Sequence, residues 1–317
     1  MTATAGEPDV HAVLVAYHGA EELAGCLVAL AGQVSAATVV DNSSSDEVSA
    51  AARSHGAHYI DSGGNRGFAA GVNIGLAHAA GDDADVLLLN PDAVVAAGAI
   101  AEMASFLHRE ENARIGAVAP RLQYPGGAEQ RVAWPFPSPR RMWVEAVGID
   151  HLCKWPPQLS ARREGCASFL IGAVLLLRRE AIEEVGGFDE RFFVYAEEAD
   201  WQRRAQERGW GSALCQTASA EHVSGTTSAS EMHREALIQA GQETFIKKWY
   251  GRRGWASYRV AALLDAVVRM IVLPGSRRRS AARRVLLYLC GPSRYTARER
   301  RRTGRRFSSR ARRGLRR

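Results

Sequence analysis

Between residues 10 and 90 the chain repeats one pattern: a short apolar run, a turn of small or polar residues, then a helical stretch. HAVLVAY (11–17), ATVVDN (37–42), AHYID (57–61) and DVLLLN (85–90) read as strands, and 21–31, 46–55 and 68–80 read as helices. Alternation at this spacing predicts right-handed βαβ units, hence an α/β fold with a mostly parallel sheet flanked by helices. In such sheets ligands bind beyond the carboxyl ends of the strands, so the loops after each apolar run are where chemistry is sought.

A further helical pattern (98–108) leads to IGAVAP (115–120), where regularity stops. Residues 124–164 hold six of the eleven prolines and three of the seven tryptophans, which predicts a long irregular loop with a functional role. Regularity resumes with ASFLIGAVLLLRR (167–179), a helix over 179–185, the turn GGFD (186–189), a helix over 196–208, a strand near 212–217 and a helix over 230–250. Beyond it Val260, Leu263, Leu264, Val267, Val268 and Ile271 share one helix face. That face fits either packing on the domain or lying in the plane of a membrane. No apolar stretch reaches the roughly 20 residues a spanning helix needs.

The formal charge of +7 divides sharply. Residues 277–317 hold 17 arginines, no lysine and one acid, a surplus of 16, so residues 1–276 carry −9. An acidic body ending in an arginine-rich tail points to contact with a nucleic acid or an anionic membrane surface. The five cysteines are scattered, with no C-x-x-C pair, and MTATAGEPDV lacks the features of a signal peptide. Both lead us to expect reduced thiols and a cytoplasmic location.

Five loci could carry chemistry. VVDNSSSD (39–46) ends a strand with Asp41, which suits a base or ribose hydroxyl, or simply a turn with Ser45 or Asp46 as helix cap. GGNRGFAAGVNIGL (63–76) departs from the G-x-G-x-x-G spacing and disfavours a Rossmann dehydrogenase. Its helix N-terminus with Arg66 suits an anion, while Gly71 and Gly75 also fit close helix packing. LLLNPDAVV (87–95) places Asn90 and Asp92 after the most apolar strand, as a metal-binding carboxylate or an ordinary β-turn. FFVYAEEADWQRR (192–204) sets Glu197, Glu198 and Asp200 in the first turn of a helix. They serve either the helix dipole and an Asp200–Arg204 pair, or general-base chemistry. His222, in a loop of AEHVSG (220–225), is structural or a ligand.

In this order the segments resemble the family-two glycosyltransferases of GT-A fold, the bacterial rhamnosyltransferase-like branch, over about residues 10–250. The longest stretch of resemblance is GAVLLLRREAIEEVGGFDERFFVYAEEADWQRRAQERGW (172–210), with VVDNSSSD, NRGFAAGVNIGL and LLLNPD as the nucleotide half. The resemblance implies a nucleotide-sugar-binding half (1–122) and an acceptor-binding, catalytic half (123–250). It leaves 251–317 as amphipathic helices and a basic tail at the membrane. It assigns Tyr17 and Asp41 to base and ribose, and Asn65, Arg66 and Gly67 to the neighbourhood of the diphosphate. Asn90 and Asp92 take the places of a D-x-D, with Asp92 and His222 as ligands of Mg²⁺ or Mn²⁺. Glu198 becomes the catalytic base with Glu197 as competitor, and Gly172, Ala173 and Asp200 face the acceptor. The implied reaction is direct displacement with inversion, the donor dTDP-L-rhamnose. The implied acceptor is an N-acetylglucosamine-diphosphoryl-polyprenol at the inner face of the plasma membrane, serving cell-envelope polysaccharide synthesis. A nucleic-acid-binding protein would explain the tail but leaves the acid-rich strand ends idle.

Overall fold

The computed structural model describes residues 9–81, 83–148, 168–223 and 231–297. They form two compact units, one from 9–136 with 168–223, the other from 137–148 with 231–297.

The first unit opens with the predicted alternation: β1 (Val10–Ala16), α1 (Ala20–Leu30), β2 (Ala36–Asp41), α2 (Asp46–Ser54), β3 (His58–Asp61), α3 (Phe68–Ala79) and β4 (Asp85–Leu89). There follow β5 (Ala93–Val95), α4 (Ala99–Leu107), β6 (Ile115–Gln123), β7 (Glu129–Gln130) and β8 (Ala133–Pro135). After α5 (Pro139–Ala146), which belongs to the second unit, come β9 (Ser168–Leu170), β10 (Val174–Leu177), α6 (Arg179–Val185), α7 (Glu197–Glu207) and β11 (Gly211–His222).

The main sheet has the order β3-β2-β1-β4-β10-β6-β11-β5, with β7 on β6, while β8 and β9 pair separately. β1 runs parallel to β2 and β4, β2 to β3 and β6 to β11; β10, β5 and β7 run antiparallel to their neighbours. Every residue of β1, β4 and β10 is buried, as continuous apolar runs in the middle of a covered sheet must be. Each such Leu or Val contributes about 1.5–3 kcal/mol. Helix α3 lies so close to β1 that a Cβ on Gly71 or Gly75 would come within 2.6 Å of Val15 or 2.2 Å of Val13. These two glycines are there for packing.

Register then aligns the strand ends. Ala16 lies opposite Asp41, Asp41 opposite Asp61, and Leu14 opposite Leu89, so the loops after β1, β2, β3 and β4 share one edge.

Two expectations change. The proline- and tryptophan-rich segment is not irregular from 124 onward: it builds β7, β8 and α5, because Ser138 caps a helix whose first residue is proline. The remainder of that expected loop, 149–164, lies outside the described residues, as does the tail from 298. His222 is not in a loop. Register shifts at Gly211/Ser212 and Cys215/Ser219 bend β11 and carry its end across to β5, where His222 faces Ala93.

In the second unit α8 (Glu231–Val272) is interrupted by non-helical backbone at Gly251 and is followed by α9 (Gly275–Cys290). The Tyr258 hydroxyl donates to Gln242 at 2.8 Å. Sixteen residues of straight helix would span about 24 Å, so α8 doubles back at the glycine. Arg259 Nε donates to the carbonyl of Tyr288 at 2.6 Å, holding α9 beside the second half of α8.

Candidate active site

The first part of the strand-end edge is closely knit. Asp41 is fully buried and both its oxygens are engaged: Oδ1 accepts from Ser43 N (2.7 Å) and Ser43 Oγ, Oδ2 from Ser45 N (2.8 Å) and Tyr59 OH (3.1 Å). Ser45 accepts in turn from Val48 N and caps α2. Asp41 thus shapes the loop in which the sequence placed it. Asn42, buried, donates to the Gly67 carbonyl at 3.0 Å and accepts from Ser62, tying this loop to the glycine-rich one. Asn65 Oδ1 accepts from Gly67 N, and Asn65 and Arg66 are exposed at the N-terminus of α3. Tyr17 is 41% exposed, a ring at the mouth of this edge beside His18.

After β4 the chain turns so that Asp92 Oδ1 lies 3.3 Å from His222 Nε2, both side chains about nine-tenths buried. His222 Nδ1 is 3.1 Å from Gln130 Oε1. An amide oxygen only accepts, so Nδ1 donates to Gln130 and Nε2 is the nitrogen that faces Asp92. Asn90 Nδ2 approaches the same nitrogen at 3.4 Å. A carboxylate oxygen and an imidazole nitrogen facing each other are a ligand pair that suits a divalent cation. Gln130 supplies the outer hydrogen bond that orients such a ligand. Among the described residues no group of three or more His, Cys, Asp and Glu side chains could hold a metal. Two protein ligands fit a hard cation whose other ligands are diphosphate oxygens and water. Behind the turn Cys26 Sγ donates to the Asn90 carbonyl at 3.7 Å; burial, and then the charge of Asp92, push its thiol up to about 12, which makes it an inert packing group.

The start of α7 is different. Tyr195 and Ala196, neither a glycine, have φ of 69° and 71°, a conformation costing about 1–2 kcal/mol per residue. They lead into Glu197, which is buried, and Glu198, which is half-buried. Oε2 of each is buried without a hydrogen-bond partner. Burial pushes the Glu198 carboxyl up to about 7 against the pull of the first-turn N–H groups. Burial, and then the charge of Glu198, hold Glu197 well above the ordinary carboxylate range. An acid poised near neutrality suits a general base. Asp200, fully buried, accepts from Arg204 Nε at 3.1 Å, the i,i+4 pair its spacing predicts, while Arg204 also donates to the carbonyls of Val185 and Gly187. In this arrangement its carboxylate faces Arg204.

Gly172 and Ala173 join these parts. A Cβ on Gly172 would lie 3.6 Å from the Glu198 side chain, and the Ala173 carbonyl accepts from Asn90 N at 2.9 Å. The glycine-rich loop is stitched to the same region. Phe68 N donates to the Phe193 carbonyl at 2.6 Å, and Gly67 has φ of 91° with its Cβ position 2.5 Å from that oxygen, so no other residue fits. Asn73 of α3 exchanges two hydrogen bonds with the backbone of Phe188, 2.7 and 2.9 Å. Asn42, Asn73 and Gln130 were invisible in the sequence reading because single amides carry no pattern. Their partners lie 25, 115 and 92 residues away.

The chain matches glycosyl transferase family 2 over residues 12–186 and glycosyl transferase family 21 over 142–237. It is 28% identical over 218 residues to the low-salt glycan biosynthesis hexosyltransferase Agl10 of Haloferax volcanii, covering 68% of this chain and 67% of that protein. It is 31% identical over 209 residues to the N-acetylglucosaminyl-diphospho-decaprenol L-rhamnosyltransferase of Mycobacterium tuberculosis, covering 58% of this chain and 65% of that one. The chain therefore spans about two thirds of the length of these relatives. Glucosyl-3-phosphoglycerate synthase from Mycobacterium tuberculosis, crystallised with Mn²⁺, UDP and glucosyl-3-phosphoglycerate, superimposes with a TM-score of 0.50 at 14% identity, over 76% of this chain and 80% of that one. At that identity the likeness is one of fold, the GT-A fold. With family 2 matched over more than half its length, the chain is a member of glycosyltransferase family 2.

Proposed function

We propose that this glycosyltransferase moves L-rhamnose from dTDP-L-rhamnose, with inversion, onto the N-acetylglucosamine of a polyprenyl-diphosphate-linked acceptor. The observation that carries the reading is the Glu198 Oε2, buried without a hydrogen-bond partner beside Gly172 and joined through Ala173 and Asn90 to the Asp92–His222 pair. The 31% identical relative named for rhamnosyl transfer to a decaprenol-linked sugar supports the donor and acceptor.

In this proposal Tyr17 presents its ring to the base, and Asp41 acts through the loop it holds. Arg66, exposed at the N-terminus of α3, meets the diphosphate together with the helix N–H groups. Asp92 and His222 would hold Mg²⁺ or Mn²⁺, which would neutralise charge developing on the leaving diphosphate. Glu198 takes the acceptor hydroxyl proton as the oxygen attacks the anomeric carbon, and Gly172 leaves room for the acceptor next to that carboxylate. The lipid-linked acceptor places the reaction at the inner face of the plasma membrane, where the arginine-rich 277–317 segment is drawn to anionic headgroups.

The test is a donor screen with dTDP-rhamnose, UDP-GlcNAc, UDP-galactose and GDP-mannose, plus Mg²⁺ and a polyprenyl-diphosphate-GlcNAc acceptor. Transfer from dTDP-rhamnose, lost in Asp92→Ala and on chelation, is expected. Transfer from another donor overturns the rhamnose assignment, and undiminished transfer by Asp92→Ala removes that carboxylate from the site.

A further inference from the structure

The second unit leaves an apolar ridge exposed on one side of its long helix. Along α8 beyond the buried Trp255 and Tyr258, the residues packed most deeply are small: Ala261, Ala262 and Ala266 are at most 3% exposed. Larger apolar side chains face out beside them, with Val260, Leu264, Val268, Ile271 and Val272 between 40% and 73% exposed. Their spacing of four, four, three and one residues makes one continuous ridge about three turns long. On α9, Leu286 and Leu289 are 64% and 58% exposed. Arg259 grips the Tyr288 and Leu289 carbonyls, so this pair lies beside the start of the ridge.

The charge around the ridge is of one sign. Residues 251–297 contain ten arginines, no lysine and one acid, Asp265, which is buried and bonded to Arg269. Arg277, Arg278, Arg279 and Arg283 are exposed on the helix that runs alongside. Among the described residues no helix is long and apolar enough to cross a membrane. An apolar ridge flanked by exposed arginines is the chemistry of a helix lying in the plane of an anionic bilayer. A nucleic acid would use the arginines and leave the ridge in water. A second copy of this basic hairpin would set like charges against each other.

We propose that the hairpin of α8 and α9 is itself a membrane-docking surface, with the Val260–Ile271 ridge inserted among the acyl chains and the α9 arginines on lipid phosphates. This deepens the reading that the acceptor is lipid-linked, naming the element that meets the bilayer, but its test involves no sugar transfer. The probe is co-sedimentation of the full chain with vesicles of phosphatidylglycerol and phosphatidylcholine, against phosphatidylcholine alone, at low and high salt. Wild-type protein should prefer the anionic vesicles and retain part of its binding at high salt. The triple variant Leu264→Gln/Val268→Gln/Ile271→Gln should lose at least tenfold in partitioning with an unchanged melting temperature. A chain ending at Ala297 should still bind. As a second reading, Leu264→Trp should give blue-shifted emission quenched by brominated lipid. Binding unchanged in the triple variant, or abolished by removing residues 298–317 alone, overturns the proposal. So does a dimer in the absence of lipid that the triple variant dissociates.

Discussion

Asp41 at the end of β2, fully buried, and Glu198 at the start of α7, half-buried with one oxygen shielded from solvent, are carboxylates of one unit treated in opposite ways. Asp41 spends both oxygens on four donors from its own loop and from Tyr59. Glu198 keeps an oxygen buried without a partner, on a helix entered through two left-handed non-glycine residues. A satisfied carboxylate holds a loop. An unsatisfied one, shifted toward neutrality, is available for a proton. The contrast separates the scaffold of the site from its proposed chemistry, since unpaired buried groups and local strain concentrate where function requires them.

The sharpest way to break the comparison is Glu198→Gln. An ordinary glutamate titrates near 4.5, and the folded value here is about 7, so the fold favours the neutral acid. Stability from this preference is full below about 4.5 and is lost as pH rises through 7. A base must be ionised, so transfer should rise through the same window in which the melting temperature falls. Glu198→Gln should lower kcat by about 10²-fold or more and raise the melting temperature at pH 8. Glu197→Gln having the larger kinetic effect would move the base to Glu197.

Next in size is Gln130→Leu, which removes the acceptor on His222 Nδ1. Loss of an outer-shell partner weakens metal affinity by about 10–100-fold, read as Mn²⁺ binding by electron paramagnetic resonance in the presence of dTDP. Unchanged Mn²⁺ affinity would show that His222 is no ligand, or needs no orientation.

The smallest effect is expected from Asp41→Asn, which turns an amide N–H₂ toward groups that already donate. It should cost about 1–2 kcal/mol, a few degrees in melting temperature, and raise the donor KM with little change in kcat. A large fall in kcat would erase the distinction between the two carboxylates.

The strand and helix pattern up to Asn90 was legible because periodicity is local, and the elements lie within a residue or two of their predicted places. The reversal of β10 was not. VLLL is buried in either direction, and its antiparallel course is decided by what it pairs with, β4 and β6. His222 read as a loop residue because the register shifts in β11 depend on β5 and β6, whose pairing no window around residue 222 contains. The outward turn of the Val260–Ile271 ridge was equally hidden. An apolar helix face looks the same whether it packs inward or faces a bilayer, and only the burial of Ala261, Ala262 and Ala266 settles which side is which.

By itself the sequence determined the α/β architecture, the shared edge of strand-end loops and the acid-rich segments placed on it. It also determined the −9 body and +16 tail. Those properties follow from local periodicity and composition. Tertiary structure alone decided that Asp92 meets His222, that Gln130 sets the orientation of that histidine, and that Asp41 is satisfied while Glu198 is not. Each depends on groups brought together across tens to more than a hundred residues, and a carboxyl's proton affinity is set by the solvent and donors around it rather than by its neighbours in the chain.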